Sequence, residues 1–494
     1  MLETAPLLEP DIAWTEQREN GTNGSDIALE RATRWKTETR IMIADTVPLV
    51  LTYLLQYFYS LIIVLVVGRI GEDELAAVSL GVTTMNIVGF AIFEGMATSL
   101  DTLCAQAFGA GNPKAVGLHV QRMVLLLLLV ACPIGILWLC SPWILARMIP
   151  QPQLAVVAGT FLRTSLVGVP GYVVFEAGKR FLQCQGNFTA SLAVLLICTP
   201  VNLVLNWTLV FKLDLGVMGS ALAAALSNNF RAVLLILYIA LCLPETHQCW
   251  PGLLPKTTFQ NWMPMIKLSV PGAVMTLGEW FAFELLNFSA AYIKTGGSDS
   301  TSSGPLAAQA ILSTSSVLVW HIPFSASVVA STRIGHLIGR GSVHTAKAMS
   351  KFYAAFFSGT ALFDMMLAFA VCSLIARFST ATSSGEVQYL IMGTLPFVAI
   401  FQIFDAAVCC VHGIMRGLGR QAVGGWATFV VNYCIGVPLA WVLSLGPPML
   451  GLVGLWSGLS VGLAVLALVQ TLVLGIIDWE KCVEDARERE EICD

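Results

Sequence analysis

Apolar residues gather in twelve long blocks along this chain, at 41–68, 75–100, 120–142, 154–177, 189–211, 216–243, 265–292, 306–330, 354–376, 390–411, 423–444 and 452–477, with short polar stretches between them. A helix crossing the hydrocarbon core of a bilayer needs about 20 mostly apolar residues, and each block supplies them. Backbone polar groups in lipid must be satisfied within the segment, so runs of this length predict helices. Residues 1–40 are polar and lack the short apolar core of a cleavable signal peptide. The pattern divides the chain into an N-terminal tail (1–40), six spans (41–243), a linker (244–264), six further spans (265–477) and a C-terminal tail (478–494). The linker carries Pro244, Pro251, Pro255 and Pro264, and the charged C-terminal tail is expected to be solvated.

Composition agrees with this all-α, polytopic membrane reading and orients it. Hydrophobic residues make up 56% of the 494 positions and charged residues 12%, with a mean hydropathy of +0.75. A soluble domain carries about a quarter charged residues, so this surface must face lipid. The net charge of −4 offers no basic surface for nucleic acid. Cys104, Cys132, Cys140, Cys198, Cys372, Cys409 and Cys434 sit inside apolar blocks, where they act as small hydrophobes. No CxxC pair of metal-ligand spacing occurs, and no bound cofactor is expected. Lys and Arg are strongly one-sided. Arg69, Arg147, Lys212, Lys294 and Arg377 fall on one side, Arg163 and Arg231 within spans, and all the others share the side of the termini. That bias predicts cytoplasmic termini and leaves the Asn20 and Asn23 sequons on the wrong side for glycosylation.

The two sets of six spans repeat one another. Val47-Pro48 with Gln56 answers Val270-Pro271 with Glu279, and Gly109-Ala110-Gly111 answers Gly339-Arg340-Gly341. Gly186-Asn187 answers Gly419-Arg420, and the glycines around Gly216 and Gly219 answer Gly451 and Gly454. The four matches keep their order at a nearly constant offset. An even number of spans per half gives both halves the same orientation, so their pseudo-symmetry axis runs along the membrane normal, as in parallel-repeat transporters.

Several of these stretches carry a specific resemblance. They are Leu100-Asp101-Thr102-Leu103-Cys104-Ala105-Gln106-Ala107-Phe108-Gly109, Arg180-Phe181-Leu182-Gln183-Cys184-Gln185-Gly186, Ser331-Thr332-Arg333-Ile334-Gly335, Arg416-Gly417-Leu418-Gly419-Arg420-Gln421 and Glu279-Trp280-Phe281-Ala282-Phe283-Glu284. From 41 to 477 the chain resembles the multidrug and toxic compound extrusion (MATE) family, in its eukaryotic branch. The resemblance implies a V-shaped pair of six-helix bundles that alternates between inward-open and outward-open states. It also implies export of organic cations, xenobiotics or metabolites, and a transport role for the acids matching Glu279 and Asp405.

An ionisable group inside a span is costly and is a functional candidate by default. Glu279 lies eight residues past Pro271, about 12 Å along a helix, hence deep in its span. Low dielectric disfavours a charged carboxylate, so such a group can take a proton and, when ionised, hold an organic cation. Competition between the two is enough for antiport. Asp405 is the second candidate, in a proton relay with Glu279. Glu284 stands about 140° around the helix from Glu279, so the two cannot face one point. Glu94 is a weaker candidate; Asp101 suggests packing, Glu176 a helix-end pair with Lys179 and Arg180, and Asp364 either a lumen-facing acid or an anomaly at the lipid edge. Gln56 stands where the second half has Glu279, and bacterial relatives carry an acid in that first helix. Its lack here moves the expected coupling to protons in the second half, with sodium disfavoured.

Aromatic faces suit flat organic cations, which brings in Trp280, Tyr53, Tyr57, Phe283 and Trp320. Pro48, Pro271 and Pro323 are candidate bending points, and His321 is expected to be a satisfied core histidine. Glu3 with Leu7-Leu8 matches an acidic dileucine sorting pattern, directing the protein to a vacuole or lysosome, the plasma membrane being the alternative. The expected partners are a small organic solute, protons and lipid, around a monomer. A lipid or glycolipid flippase is the rival within transport, but it would favour a cationic cavity. A membrane-embedded enzyme would need a catalytic motif such as HExxH, which is missing.

Overall fold

The computed structural model describes residues 24–148, 151–253, 256–293, 304–379 and 385–491. The dileucine pattern, both sequons and Lys294 lie outside them. The described residues are helical almost throughout. The first half comprises α1 (Gly24–Val67), α2 (Glu72–Ala110), α3 (Pro113–Leu139), α4 (Pro152–Gln183), α5 (Ala190–Lys212) and α6 (Gly216–Cys242). The second comprises α7 (Met263–Ala290), α8 (Gly304–Gly339), α9 (Val343–Ser379), α10 (Gly385–Leu418), α11 (Gln421–Leu445) and α12 (Gly451–Ile476). Eleven of these are long and apolar enough to cross a membrane. The twelfth, α7, carries Lys267, Glu279 and Glu284, and its 28 residues span about 42 Å.

The duplication is written into the backbone. Gly111 and Gly341 end α2 and α8 at φ of 87° and 77°, and Gly186 and Gly419 follow α4 and α10 at 78° and 73°. Left-handed backbone of this kind stops a helix and favours glycine, which has no Cβ.

The halves meet at the end nearest the termini. Gly109 of α2 abuts His336 of α8, and Gly339 abuts Gln106; a Cβ on either glycine would overlap the opposing backbone. The start of α1 also crosses to the second half, where Met42, Leu49 and Tyr53 share one buried cluster with Val329, Tyr353 and Ile414. Polar bonds join the same surfaces: Glu38 pairs with Arg333, and Thr102 and Gln106 donate to the carbonyls of Arg416 and Gly417. Several helices run past their predicted limits here, α2, α4, α8 and α10 at their C-terminal ends and α1 and α9 at their starts.

The C-terminal tail corrects its expectation. It forms α13 (Trp479–Glu491), which buries Trp479, Cys482, Val483 and Ala486. Asp485 pairs with Arg420 at 2.9 Å and Arg489 donates to Gln106 at 2.9 Å. The segment is charged on average, but its apolar residues recur at helical spacing and make one buried face. The linker is docked too, with Gln121 and Arg122 of α3 donating to the carbonyls of Gly252 and Thr257.

Candidate functional site

Beyond this sealed end, two adjoining cavities open between the halves. One, of about 450 Å³, is lined by Glu94 of α2, Glu279 and Trp280 of α7, Trp320 and Phe324 of α8, and His412 of α10. The other, of about 830 Å³, is lined by Tyr53, Gln56 and Tyr57 of α1 and by groups of α4 and α6. Glu94, Trp280, Trp320 and Phe324 line both, so an acid and three aromatic rings form the shared wall. Trp320 and Phe324 stand one helical turn apart and stack with ring centroids 4.5 Å apart.

Glu279 is about a quarter exposed (27%), facing the smaller cavity. His412 Nδ1 lies 3.1 Å from its Oε1, at ion-pair distance but off line for a hydrogen bond. Behind the ring, the Gln470 amide is 2.8 Å from Nε2 and the Thr428 hydroxyl 3.3 Å. With that amide donating to Nε2, the ring proton sits on Nδ1, facing the carboxylate. Asp405 precedes His412 by two helical turns on the same face of α10. It is buried, with Oδ2 unbonded among the described residues. Asp364 of α9 is fully buried, with neither oxygen bonded, and lies within electrostatic reach of Asp405, as does Glu279. Burying a charge without a partner is costly, so two unpartnered carboxyl groups inside spans of the second half are functional candidates.

The first half is arranged differently. Gln56 donates to Glu176 at 2.8 Å and accepts from Lys179 at 3.1 Å. Glu176 takes ion pairs from Lys179 and Arg180, each at 2.8 Å, the helix-end arrangement its spacing suggests. Gln56 therefore belongs to a closed polar network in α1 and α4 and does not join Glu279. Tyr53 is buried beneath Lys179, whose Nζ lies 4.4 Å from the ring centroid. Glu284 is drawn away from Glu279 as well: Asn287 donates to it at 3.4 Å, within a polar group that includes Gln309 and Ser313. The His321 ring bonds to the Val317 carbonyl at 2.6 Å, as a satisfied core histidine should.

Two features escape sequence reasoning. His412 reads as one more residue of an apolar run; its only signal is the seven-residue spacing from Asp405. Asp101 reads as packing, but it lies 3.3 Å from Arg180 of its own half and 3.5 Å from Arg416 of the other. Gln421 adds a bond to Thr102 across the same seam.

Comparison with known proteins follows the two halves. A family model, MatE, matches residues 48–208 and 271–442. An uncharacterized transporter of Schizosaccharomyces pombe is 34% identical, over 97% of this chain and 87% of that protein. Multidrug and toxin extrusion protein 1 of Xenopus tropicalis is 32% identical, over 92% of this chain and 76% of that protein. The crystal structure of the eukaryotic MATE transporter AtDTX14 superposes with a TM-score of 0.82 at 25% identity, covering 92% of this chain and 99% of that one.

Proposed function

The chain belongs to the MatE family of multidrug and toxin extrusion transporters, and from that premise we propose that it is a secondary antiporter exchanging organic cations or metabolites for protons by alternating access. The observation that carries this reading is Glu279, a carboxylate in a span that faces an aromatic-walled cavity, with His412 Nδ1 3.1 Å from its Oε1. In the ionised state it attracts a cation, and Trp280, Trp320 and Phe324 offer ring faces to that charge. When a proton neutralises it, the attraction ends and the cation leaves. One charge thus serves two ligands that exclude each other, and downhill proton entry is coupled to departure of the cation.

The relay assigned to Glu279 and Asp405 runs past His412. The imidazole lies beside Glu279 and can exchange a proton with it, while Asp405 stands two turns away, about 10 Å along α10. Coupling is assigned to protons rather than sodium because α1 carries Gln56, engaged with Glu176 and Lys179, where a first-half ion site would need an acid. The sealed end carries the termini. With both termini in the cytosol, the sealed end is the inner one and the conformation is closed inward.

The test is efflux of a fluorescent organic cation from proteoliposomes against an imposed pH gradient. Wild-type protein should move the cation in proportion to the gradient, and Glu279→Gln should abolish that dependence. Unchanged coupling in Glu279→Gln would remove Glu279 from the account.

A further inference from the structure

The larger cavity holds a base that the antiport cycle does not use. Arg231 of α6 is 3% exposed and lines the cavity wall. Its Nε and Nη2 have no hydrogen-bond partner among the described residues. Three rings hold the guanidinium instead: its Cζ lies 4.6 Å from the centroid of Phe175, 5.1 Å from Tyr172 and 5.7 Å from Tyr59. Cation–π contacts fix where the charge sits, but they leave Nε and Nη2 without an acceptor among the described residues. The nearby acid Glu176 cannot supply one, because its two oxygens are taken by Gln56, Lys179 and Arg180. Glu94 faces the same cavity but makes no ion pair with Arg231.

We propose that Arg231 and its aromatic cage form a subsite for an anionic group, a carboxylate or a chemically similar oxyanion, carried by an organic solute. A guanidinium matches such groups through paired N–H donors, and a buried donor left unmatched is a standing demand for an acceptor. Glu94 lies in the wall the two cavities share and Glu279 beyond it, with His412 and the Asp101-paired Arg416, so acids stand on the side of the wall away from Arg231. That arrangement suits a zwitterion: an aromatic body with a cationic group toward Glu279 and an anionic group toward Arg231. The inference rests on the extrusion reading only for the route such a solute would take.

Binding is therefore read apart from transport. Rhodamine B is a zwitterion through its free carboxylate, and its ethyl ester is a plain cation of the same shape. Fluorescence anisotropy gives the Kd of each for purified protein in phosphatidylcholine nanodiscs, with no pH gradient. Wild-type protein should bind the acid more tightly than the ester. Arg231→Gln should weaken the acid by about 10- to 100-fold, the worth of a charge-assisted hydrogen bond, and leave the ester within about twofold. Arg231→Lys keeps the charge and loses the fork, so it should give a smaller loss confined to the acid; it also serves if Arg231→Gln fails to fold. Equal loss of both dyes, or no loss of either, would overturn the subsite. Loss of the preference for the acid on adding phosphatidylglycerol would assign the site to a lipid headgroup and overturn the solute reading. Failure of pH-driven transport with the acid preference intact would count against the antiport cycle alone.

Discussion

Replacing Asp101 with Asn tests what holds the two halves together. Asp101 is a buried acid between two guanidinium groups, Arg180 in its own half and Arg416 in the other. The substitution keeps the shape and removes the charge. Arg180 retains Glu176 at 2.8 Å, but Arg416 is left with the Ser327 hydroxyl and no acid. Deleting one partner of a buried pair costs about 3–5 kcal/mol. The separation of 3.5 Å is longer than the roughly 2.8 Å of a tight charge-assisted bond, so the lower figure, about 3 kcal/mol, applies. Asp101 and Arg416 belong to opposite halves, so on this account parting of the seam separates them and the loss falls on the closed state. At 1.4 kcal/mol per factor of ten, the open population should rise by about 100-fold. Cys184 reports on it: the thiol is 2% exposed, and its carbonyl takes a bond from His336 across the seam. Maleimide labelling of Cys184, read by peptide mass spectrometry, should accelerate in Asp101→Asn by that order. An unchanged labelling rate in a variant with wild-type thermal stability would refute the role of this pair in closure.

Other substitutions probe separate parts of the account. Gly339→Ala places a methyl group against the Gln106 carbonyl and should cost about 1–3 kcal/mol of seam packing; thermal unfolding and Cys184 labelling both report it, and wild-type values of both would contradict the close approach. His412→Ala removes the group beside Glu279 while leaving the cavity acid in place, so cation affinity should stay within about threefold while proton-driven flux falls at least tenfold, in the range of a lost proton-transfer group. Equal losses in binding and flux would instead mark His412 as structural.

The spans were legible because lipid-facing helices announce themselves by composition, and the repeat was legible because glycines at left-handed helix ends tolerate few substitutes. The helix ends beyond the predicted limits were not. Asp101, Gln106, Arg180 and Arg416 are polar, so hydropathy assigns them to loops, but each is buried against another helix at the sealed end. The tail at 478–494 misled in the same way, since four buried residues among many charges suffice to dock α13. Of the site, Glu279 could be read from its depth past Pro271 and from the family resemblance. The separation of Glu279 from Glu284 followed from helical phase alone. His412 could not be found this way, because its contact with Glu279 joins α7 to α10 and no local pattern records it. Arg231 could be seen to lie in a span, but its lack of partners is a property of the packed structure.

The central claim is that a proton and a cation compete for Glu279. The most direct measurement is proton release on cation binding, with purified protein in weakly buffered solution and a pH-sensitive dye, at a pH where the site is part protonated. Wild-type protein should release protons in proportion to the cation bound, and Glu279→Gln should release none while still folded and monodisperse. Proton release of equal size in Glu279→Gln, or cation binding to wild-type protein with no release at any pH, would contradict it.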